Sequence, residues 1–227
     1  MWTIQFKDAN CKNCYKCVRS CPVKAIAVKN QQARIVKEDC ILCGNCLTIC
    51  PQNAKSVRND LDKVKGFLNS GEKVYASIAP SFAAAFDGAD GTSVFAALKK
   101  LGFAYVEETA IGAAYVSAEY EKLMNKGKMK NIITTACPSV VFLVQKYYSE
   151  LVDQLAPVVS PMIAHAKILK AMYGPKIRVV FIGPCISKKE EYSDDQYKGL
   201  VDAVITFEEL ESWMVSEEIE LKPTGKI

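Results

Sequence analysis

Histidine is almost missing from this chain: His165 is the only one. A lone histidine, here in a helix-like stretch after Ser160-Pro161, more often serves packing or the surface than a metal. Its scarcity also leaves a cysteine nucleophile without an evident imidazole base. Long apolar runs are missing too, and none approaches the roughly 18 residues that a spanning helix requires. With no membrane span and no secretory signal at the N-terminus, the chain reads as cytoplasmic, in surroundings too reducing for a disulfide framework. The lysines are scattered, which excludes a nucleic-acid footprint. Cysteine itself is absent from residues 51–136. Half of the 227 residues are apolar, which is a globular composition with length for one large domain or two smaller ones.

What the chain does have is cysteine at its start. Eight of the ten lie between Cys11 and Cys50, in two runs of identical spacing. The first is Cys11, Cys14, Cys17, Cys21 and Pro22, and the second is Cys40, Cys43, Cys46, Cys50 and Pro51. Each reads C-x₂-C-x₂-C-x₃-C-P, the pattern of bacterial two-cluster ferredoxins. Three thiolates two residues apart let a short loop wrap one corner of an iron–sulfur cube. The fourth points away, and the proline after it keeps it from folding back. The spacing therefore predicts one [4Fe–4S] cluster on Cys11, Cys14, Cys17 and Cys50, and a second on Cys21, Cys40, Cys43 and Cys46. Structural zinc would use a single four-ligand set with a wide central gap. Each oxidised cluster with its thiolates carries about −2, so two of them bring the formal +4 near neutrality.

The two runs belong to an internal repeat with an offset of 29 residues, which also maps Ala25 and Val28 onto Ala54 and Val57. Each half is expected to be a cluster loop, a short helix and a strand about a pseudo-twofold axis. Trp2, Ile4 and Phe6 alternate as an edge strand does, and Ala33 to Lys37 reads as another strand. Residues 1–60 are thus expected to be an α+β ferredoxin-like domain with two [4Fe–4S] clusters. Residues 61–73 read as a linker containing a short amphipathic helix.

Residues 74–227 alternate strand-like and helical segments, which predicts an α/β domain with a mainly parallel sheet. Strands are expected at Val74–Ile78, Phe103–Val106, Ile132–Thr135, Arg178–Ile182 and Ala203–Thr206. Helices are expected near Ser93–Leu101, Gly112–Asn125, Pro138–Tyr148 and Pro161–Tyr173, and from a Thr206 cap to Val215. Cys137 and Cys185 each follow a predicted strand, where open α/β sheets bind ligands. Ala79-Pro80-Ser81, Glu107-Glu108-Thr109 and the pair Lys188-Lys189 are expected at the same edge. Taken singly, each cysteine could equally be a buried core residue.

At these residues the sequence resembles the large catalytic subunit of [FeFe]-hydrogenases. Thr134-Thr135-Ala136-Cys137-Pro138 is similar to the family's motif T-S-C-C-P. Gly183-Pro184-Cys185-Ile186-Ser187-Lys188-Lys189-Glu190-Glu191 is similar to M-P-C-x-x-K-K-x-E. Tyr147 to Leu151 and Val159-Ser160-Pro161 resemble stretches between those motifs. The resemblance implies that Cys137 and Cys185 ligate part of an H-cluster, a [4Fe–4S] cluster bridged to a diiron unit. It implies that Lys188 contacts an iron-bound cyanide and that Ala79, Pro80 and Ser81 line the diiron pocket.

Departures from the family pattern shape the expected function. Ala136 replaces the proton-shuttling cysteine. A gap-free alignment puts Ala156 in place of a serine, and Tyr120 and Leu123 in place of glutamates, along the family's proton path. Gly183 replaces a methionine. The third motif, with two more cluster cysteines, is missing before Ile227, so a complete H-cluster is expected only in a longer chain. The resulting expectation is an iron–sulfur electron-transfer protein of hydrogen-sensing type, truncated before that motif and inactive or very slow as an oxidoreductase. Its partner would be a redox protein: a ferredoxin, a flavodoxin or a sensor or signalling domain. The alternatives are a non-catalytic ferredoxin-type electron carrier or an iron–sulfur assembly relative on the same scaffold, and a thiol enzyme using Cys137 or Cys185.

Overall fold

A computed structural model describes residues 2–86, 88–89 and 91–222 of the chain. Its first part is built from short elements: β1 (Ile4–Phe6), α1 (Lys16–Ser20), β2 (Ile26–Lys29), β3 (Gln32–Ile35), α2 (Asn45–Thr48) and β4 (Lys55–Val57). β1 pairs antiparallel with β4, and β2 with β3. The repeat is written into the backbone. Asn13, Tyr15 and Lys24 are left-handed, with φ of 58°, 53° and 57°. The equivalents 29 residues on, Leu42, Gly44 and Asn53, have φ of 56°, 81° and 47°. Two of each three flank the second cysteine of a run, where the loop must turn sharply to present successive thiols. A left-handed L residue costs roughly 1–2 kcal/mol, so five non-glycine positions store strain that the small core around Ile4, Ala25, Ile26, Ala33 and Leu42 must offset.

Helix α3 (Leu61–Asn69) follows, with Val64 fully buried on its inner face. Leu61, Phe67 and Leu68 also pack on the core of the second part. That part continues through β5 (Val74–Ile78), α4 (Phe82–Ala85), α5 (Gly91–Lys100), β6 (Tyr105–Glu108), α6 (Ala110–Lys126), α7 (Pro138–Tyr147), α8 (Pro161–Tyr173), β7 (Arg178–Ile182), α9 (Lys188–Glu191), β8 (Ala203–Ile205) and α10 (Phe207–Ser216). Four strands form one parallel sheet in the order β6-β5-β7-β8. Alternate residues serve opposite faces. Ala76, Ile78, Val180 and Ile182 join Leu98, Phe103, Leu210 and Trp213 on one side. Tyr75, Val179, Phe181 and Val204 join Ile163, Ala166 and Leu169 on the other. Both faces are covered, which is why β7 and β8 read as nearly unbroken apolar runs.

The expected strand at Ile132–Thr135 is not part of the sheet, which has four strands among the described residues, not five. Its backbone is satisfied elsewhere: the Ile133 amide donates to Gln154 O at 2.7 Å, and Ala156 N donates to Ile133 O at 2.9 Å. A single bridge to Leu155 results. The strand expected at Phe103–Val106 lies two residues later, because Phe103 is drawn into the core beside Trp213, ring centroids 6.1 Å apart. Thr206 caps α10 as expected, in a full capping box with Glu209. No helix among the described residues is long and apolar enough to cross a membrane.

Helices α6 and α8 cross at Gly112. A Cβ there would stand 2.4 Å from Pro161 O and 2.7 Å from His165 Cβ, so only glycine allows this approach. The crossing seals His165, which is fully buried. Its Nδ1 bonds Ser77 Oγ at 2.8 Å and its Nε2 bonds Glu107 Oε2 at 2.8 Å, while Ser77 Oγ meets Thr109 Oγ1 at 2.7 Å. The lone histidine thus ties β5, β6 and α8 together with both nitrogens occupied.

Polar contacts join the two parts. Tyr147 Oη donates to Asp39 O at 2.8 Å, and Lys146 Nζ to Cys40 O at 2.7 Å. Thr3 Oγ1 donates to Glu190 at 2.8 Å, and Arg58 Nη2 to Lys189 O at 2.9 Å. The C-terminal end of α7 thereby holds the loop carrying the second cysteine run.

Candidate metal centre

Cys21 leaves its own run and joins the other. It lines one small cavity together with Cys40, Cys43 and Cys46, walled by Ile4, Ile26 and Ile41. All ten cysteines are free thiols. Burial pushes the Cys40 thiol up and the Cys46 thiol up to about 12. Such thiols ionise readily only when a metal supplies the compensating charge, so this pocket fits a metal cluster better than free thiolates. Backbone amides are already aimed at sulfur: Leu42 N at Cys40 Sγ, 3.4 Å, and Ala54 N at Cys50 Sγ, 3.5 Å. The amides of Asn13 and Ala33 hold the Cys11 thiol below its ordinary value. Cys17 is buried and Cys14 exposed. Among the described residues no three His, Cys, Asp or Glu side chains converge tightly enough for a single metal ion. A cubane instead takes one thiolate at each of four separate irons.

The other two cysteines meet across 48 residues of sequence. Cys185 follows β7, as expected. Cys137 does not follow a strand of the sheet; it is the N-cap of α7, with Pro138 in the first turn. A hydrogen bond between the two thiols dominates both ionisations, lowering Cys137 to about 5 and raising Cys185. The asymmetry has a cause: the amides of Ser139 and Val140, at the start of the helix, also favour a Cys137 thiolate. Cys185 is the more enclosed, and its sulfur lies 2.9 Å from Ser187 Oγ. Lys188 stabilises negative charge on both, its ammonium fixed by Ala136 O at 3.0 Å and Glu191 Oε2 at 2.7 Å. Lys189, expected at the same site, points elsewhere. It is fully buried and paired with Glu209 at 2.9 Å, because its ammonium needs a carboxylate in the core.

Neighbouring residues explain two departures from the motif pattern. Gly183 is needed by packing, since a Cβ would lie 2.9 Å from both Ala79 Cβ and the Phe181 ring. Ala79 sits against that glycine with its amide on Ile182 O at 2.8 Å, while Pro80 and Ser81 are exposed. Tyr120 Oη accepts from Thr135 N at 3.0 Å, and Thr135 Oγ1 donates to Val158 O at 2.5 Å and Ala156 O at 3.2 Å. Tyr120, Thr135 and Ala156 therefore assemble beside Ala136, with Leu123 half-buried one turn along α6.

One relation has no signature in the spacing. Cys43, Cys137 and Cys185 line a single cavity of about 770 Å³, together with Gly44, Lys55 and Ile186. The Ile186 side chain reaches within 3.6 Å of where a Gly44 Cβ would stand, which brings the second cysteine loop against the segment carrying Cys185. Lys55 is a site residue that motif reading missed; only the repeat could have pointed to it.

Residues 72–226 match the family described as iron-only hydrogenase large subunit, C-terminal domain, and residues 3–51 match the 4Fe-4S dicluster domain. The chain is 33% identical over 175 residues to iron hydrogenase 1 of Clostridium pasteurianum, covering 66% of this chain and 30% of that protein. It is 35% identical over 119 residues to the cytosolic Fe-S cluster assembly factor NAR1 of Vanderwaltozyma polyspora, covering 48% of this chain and 22% of the other. The fold is similar to that of the [FeFe]-hydrogenase HydA1 of Chlamydomonas reinhardtii, with a TM-score of 0.64 at 21% identity, over 74% of this chain and 50% of that one. In each of these the chain spans half of the other protein's length or less.

Proposed function

Because the chain belongs to the iron-only hydrogenase large-subunit family, we propose that it is an iron–sulfur electron-transfer protein of that lineage, of hydrogen-sensing type. In this reading residues 1–60 carry two [4Fe–4S] clusters, one on Cys11, Cys14, Cys17 and Cys50 and one on Cys21, Cys40, Cys43 and Cys46. Residues 74–227 carry the hydrogen-responsive part; of these, 87, 90 and 223–227 lie outside the described residues. The observation that carries the proposal is a shared cavity: Cys43 of the second cluster loop faces the same space as Cys137 and Cys185. Electrons arriving at the second cluster would need no further protein centre to reach that pair.

Cys137 and Cys185 would hold an H-cluster by two thiolates, with the other two supplied from outside the ten cysteines of this sequence. When bound, that group supplies reversible hydrogen chemistry at its diiron unit. The chain's own residues would do the rest. Lys188 would hold a positive charge against an anionic ligand, and Ala79, Pro80 and Ser81 would shape the pocket. Ala136 can neither hold nor pass a proton, and Ala156 and Leu123 add two further breaks. Fast turnover needs proton carriers within hydrogen-bond reach, so a slow, hydrogen-reading role suits the site better than bulk catalysis. A ferredoxin, a flavodoxin or a sensor domain would take the electrons.

The NAR1 match favours a second reading, an iron–sulfur assembly relative on the same scaffold. One experiment separates them. The anaerobically reconstituted protein, given an external thiol for the two ligands its own cysteines do not supply, receives a synthetic diiron cofactor, and infrared spectra and methyl viologen-driven hydrogen evolution are recorded. Bands of iron-bound CO and cyanide with little or no turnover are expected. Robust turnover would overturn the sensing role, and absence of the bands would favour the assembly relative.

A further inference from the structure

The two halves of the cysteine-bearing repeat differ at one buried position. Ile26 opens β2 and is 6% exposed; 29 residues later Lys55 opens β4 and is 8% exposed. The strands have the same role in each half, but the register partner of Ile26 is Ile35 and that of Lys55 is Phe6. An apolar residue therefore fits this place in the repeat. A lysine there is costly to bury unless something nearby is negative. No ion pair among the described residues includes Lys55. Its ammonium lies over the Phe6 ring, 5.3 Å from the centroid. Lys55 stands beside ligands of both clusters: the residue before it, Ala54, aims its amide at Cys50 Sγ, 3.5 Å away, and Lys55 itself lines the cavity shared by Cys43, Cys137 and Cys185.

We propose that Lys55 sets the reduction potentials of both clusters together, as the buried cation that stabilises their more negative, reduced states. The inference rests on the two-cluster reading above. Reduction adds one electron to a cluster, and nearby net charge is a main control of its potential. Buried charge is screened far less than surface charge. Lys24 provides the contrast, since it is exposed and its amide bonds Cys21 O at 3.3 Å, beside the same clusters.

Lys55→Ile installs the residue that the first half of the repeat already accommodates, Lys55→Met keeps the length of the side chain, and Lys55→Arg keeps the charge. Each is reconstituted anaerobically, its iron is counted, and both clusters are titrated by electron paramagnetic resonance against potential. Lys55→Ile and Lys55→Met are expected to hold both clusters and to become harder to reduce. At a given potential their reduced-to-oxidised ratio should fall about tenfold, a shift of about 59 mV for a one-electron couple. Lys55→Arg should stay near the parent, and Lys24→Ile should move less than half as far. Unchanged potentials in fully loaded Lys55→Ile and Lys55→Met would overturn the proposal, as would an equal shift in Lys24→Ile. So would a loss of clusters in both neutral variants, which would make Lys55 an assembly residue. A parent protein that holds fewer than two clusters would instead sink the two-cluster reading itself.

Discussion

The first 60 residues and the sheet domain after them solve the stability problem in opposite ways. The sheet domain buries two continuous apolar layers, one on each face of β6-β5-β7-β8. The cysteine-bearing part has three- and four-residue strands, helices of five and four residues, and a core that counts cysteines among its members. It also carries five left-handed non-glycine residues in its two repeats. Regular structure cannot present thiols at that spacing, so the backbone accepts strain that a small core and whatever the thiols bind must offset together. The difference teaches that one part stores its stability in side-chain packing and the other in whatever its thiols bind.

Iron should therefore split the molecule. Protein prepared without iron is expected to lose protection from hydrogen exchange across residues 2–57 while the β5 and β7 amides stay protected. Equal protection in both parts with and without iron would abolish the contrast. Next in size is Cys21→Ala. Although Cys21 belongs to the first run, its cavity is that of Cys40, Cys43 and Cys46. Loss of the second cluster's paramagnetic signal is expected, with the first retained, and the opposite pattern would reverse the pairing. Trp213→Ala acts on the other side of the comparison. Trp213 is 4% exposed against Phe103, and its truncation should cost the sheet domain about 3–5 kcal/mol in denaturant unfolding. Cluster absorbance should persist until that domain unfolds. The smallest effect is expected from Thr206→Ala, which removes the capping box of α10 at about 1 kcal/mol. A change in cluster spectra from Thr206→Ala would mean that the two parts are less separable than their cores suggest.

Local spacing and period made much of this legible in advance. Two identical cysteine runs, a 29-residue repeat, the alternating strands and the Thr206 cap depend on residues close together in the chain. Their covalent distance already restricts what they can do. The expected strand at Ile132–Thr135 failed for a related reason. Its apolar residues suit an extended segment, but the partner that pairs with it, around Gln154 to Ala156, is chosen by chain path.

Sequence alone thus determined that the chain carries repeated cysteine loops ahead of a parallel α/β sheet, because each signal is carried by neighbouring residues. Tertiary structure decided what meets what. Cys137 reaches Cys185 from a helix N-terminus instead of a strand end, Gly183 is dictated by the Ala79 Cβ and the Phe181 ring, and both His165 nitrogens are engaged. Lys55 is buried where its repeat partner is isoleucine. Each of these depends on side chains from distant segments occupying one small volume, and spacing along a chain holds no information about which segments will cross.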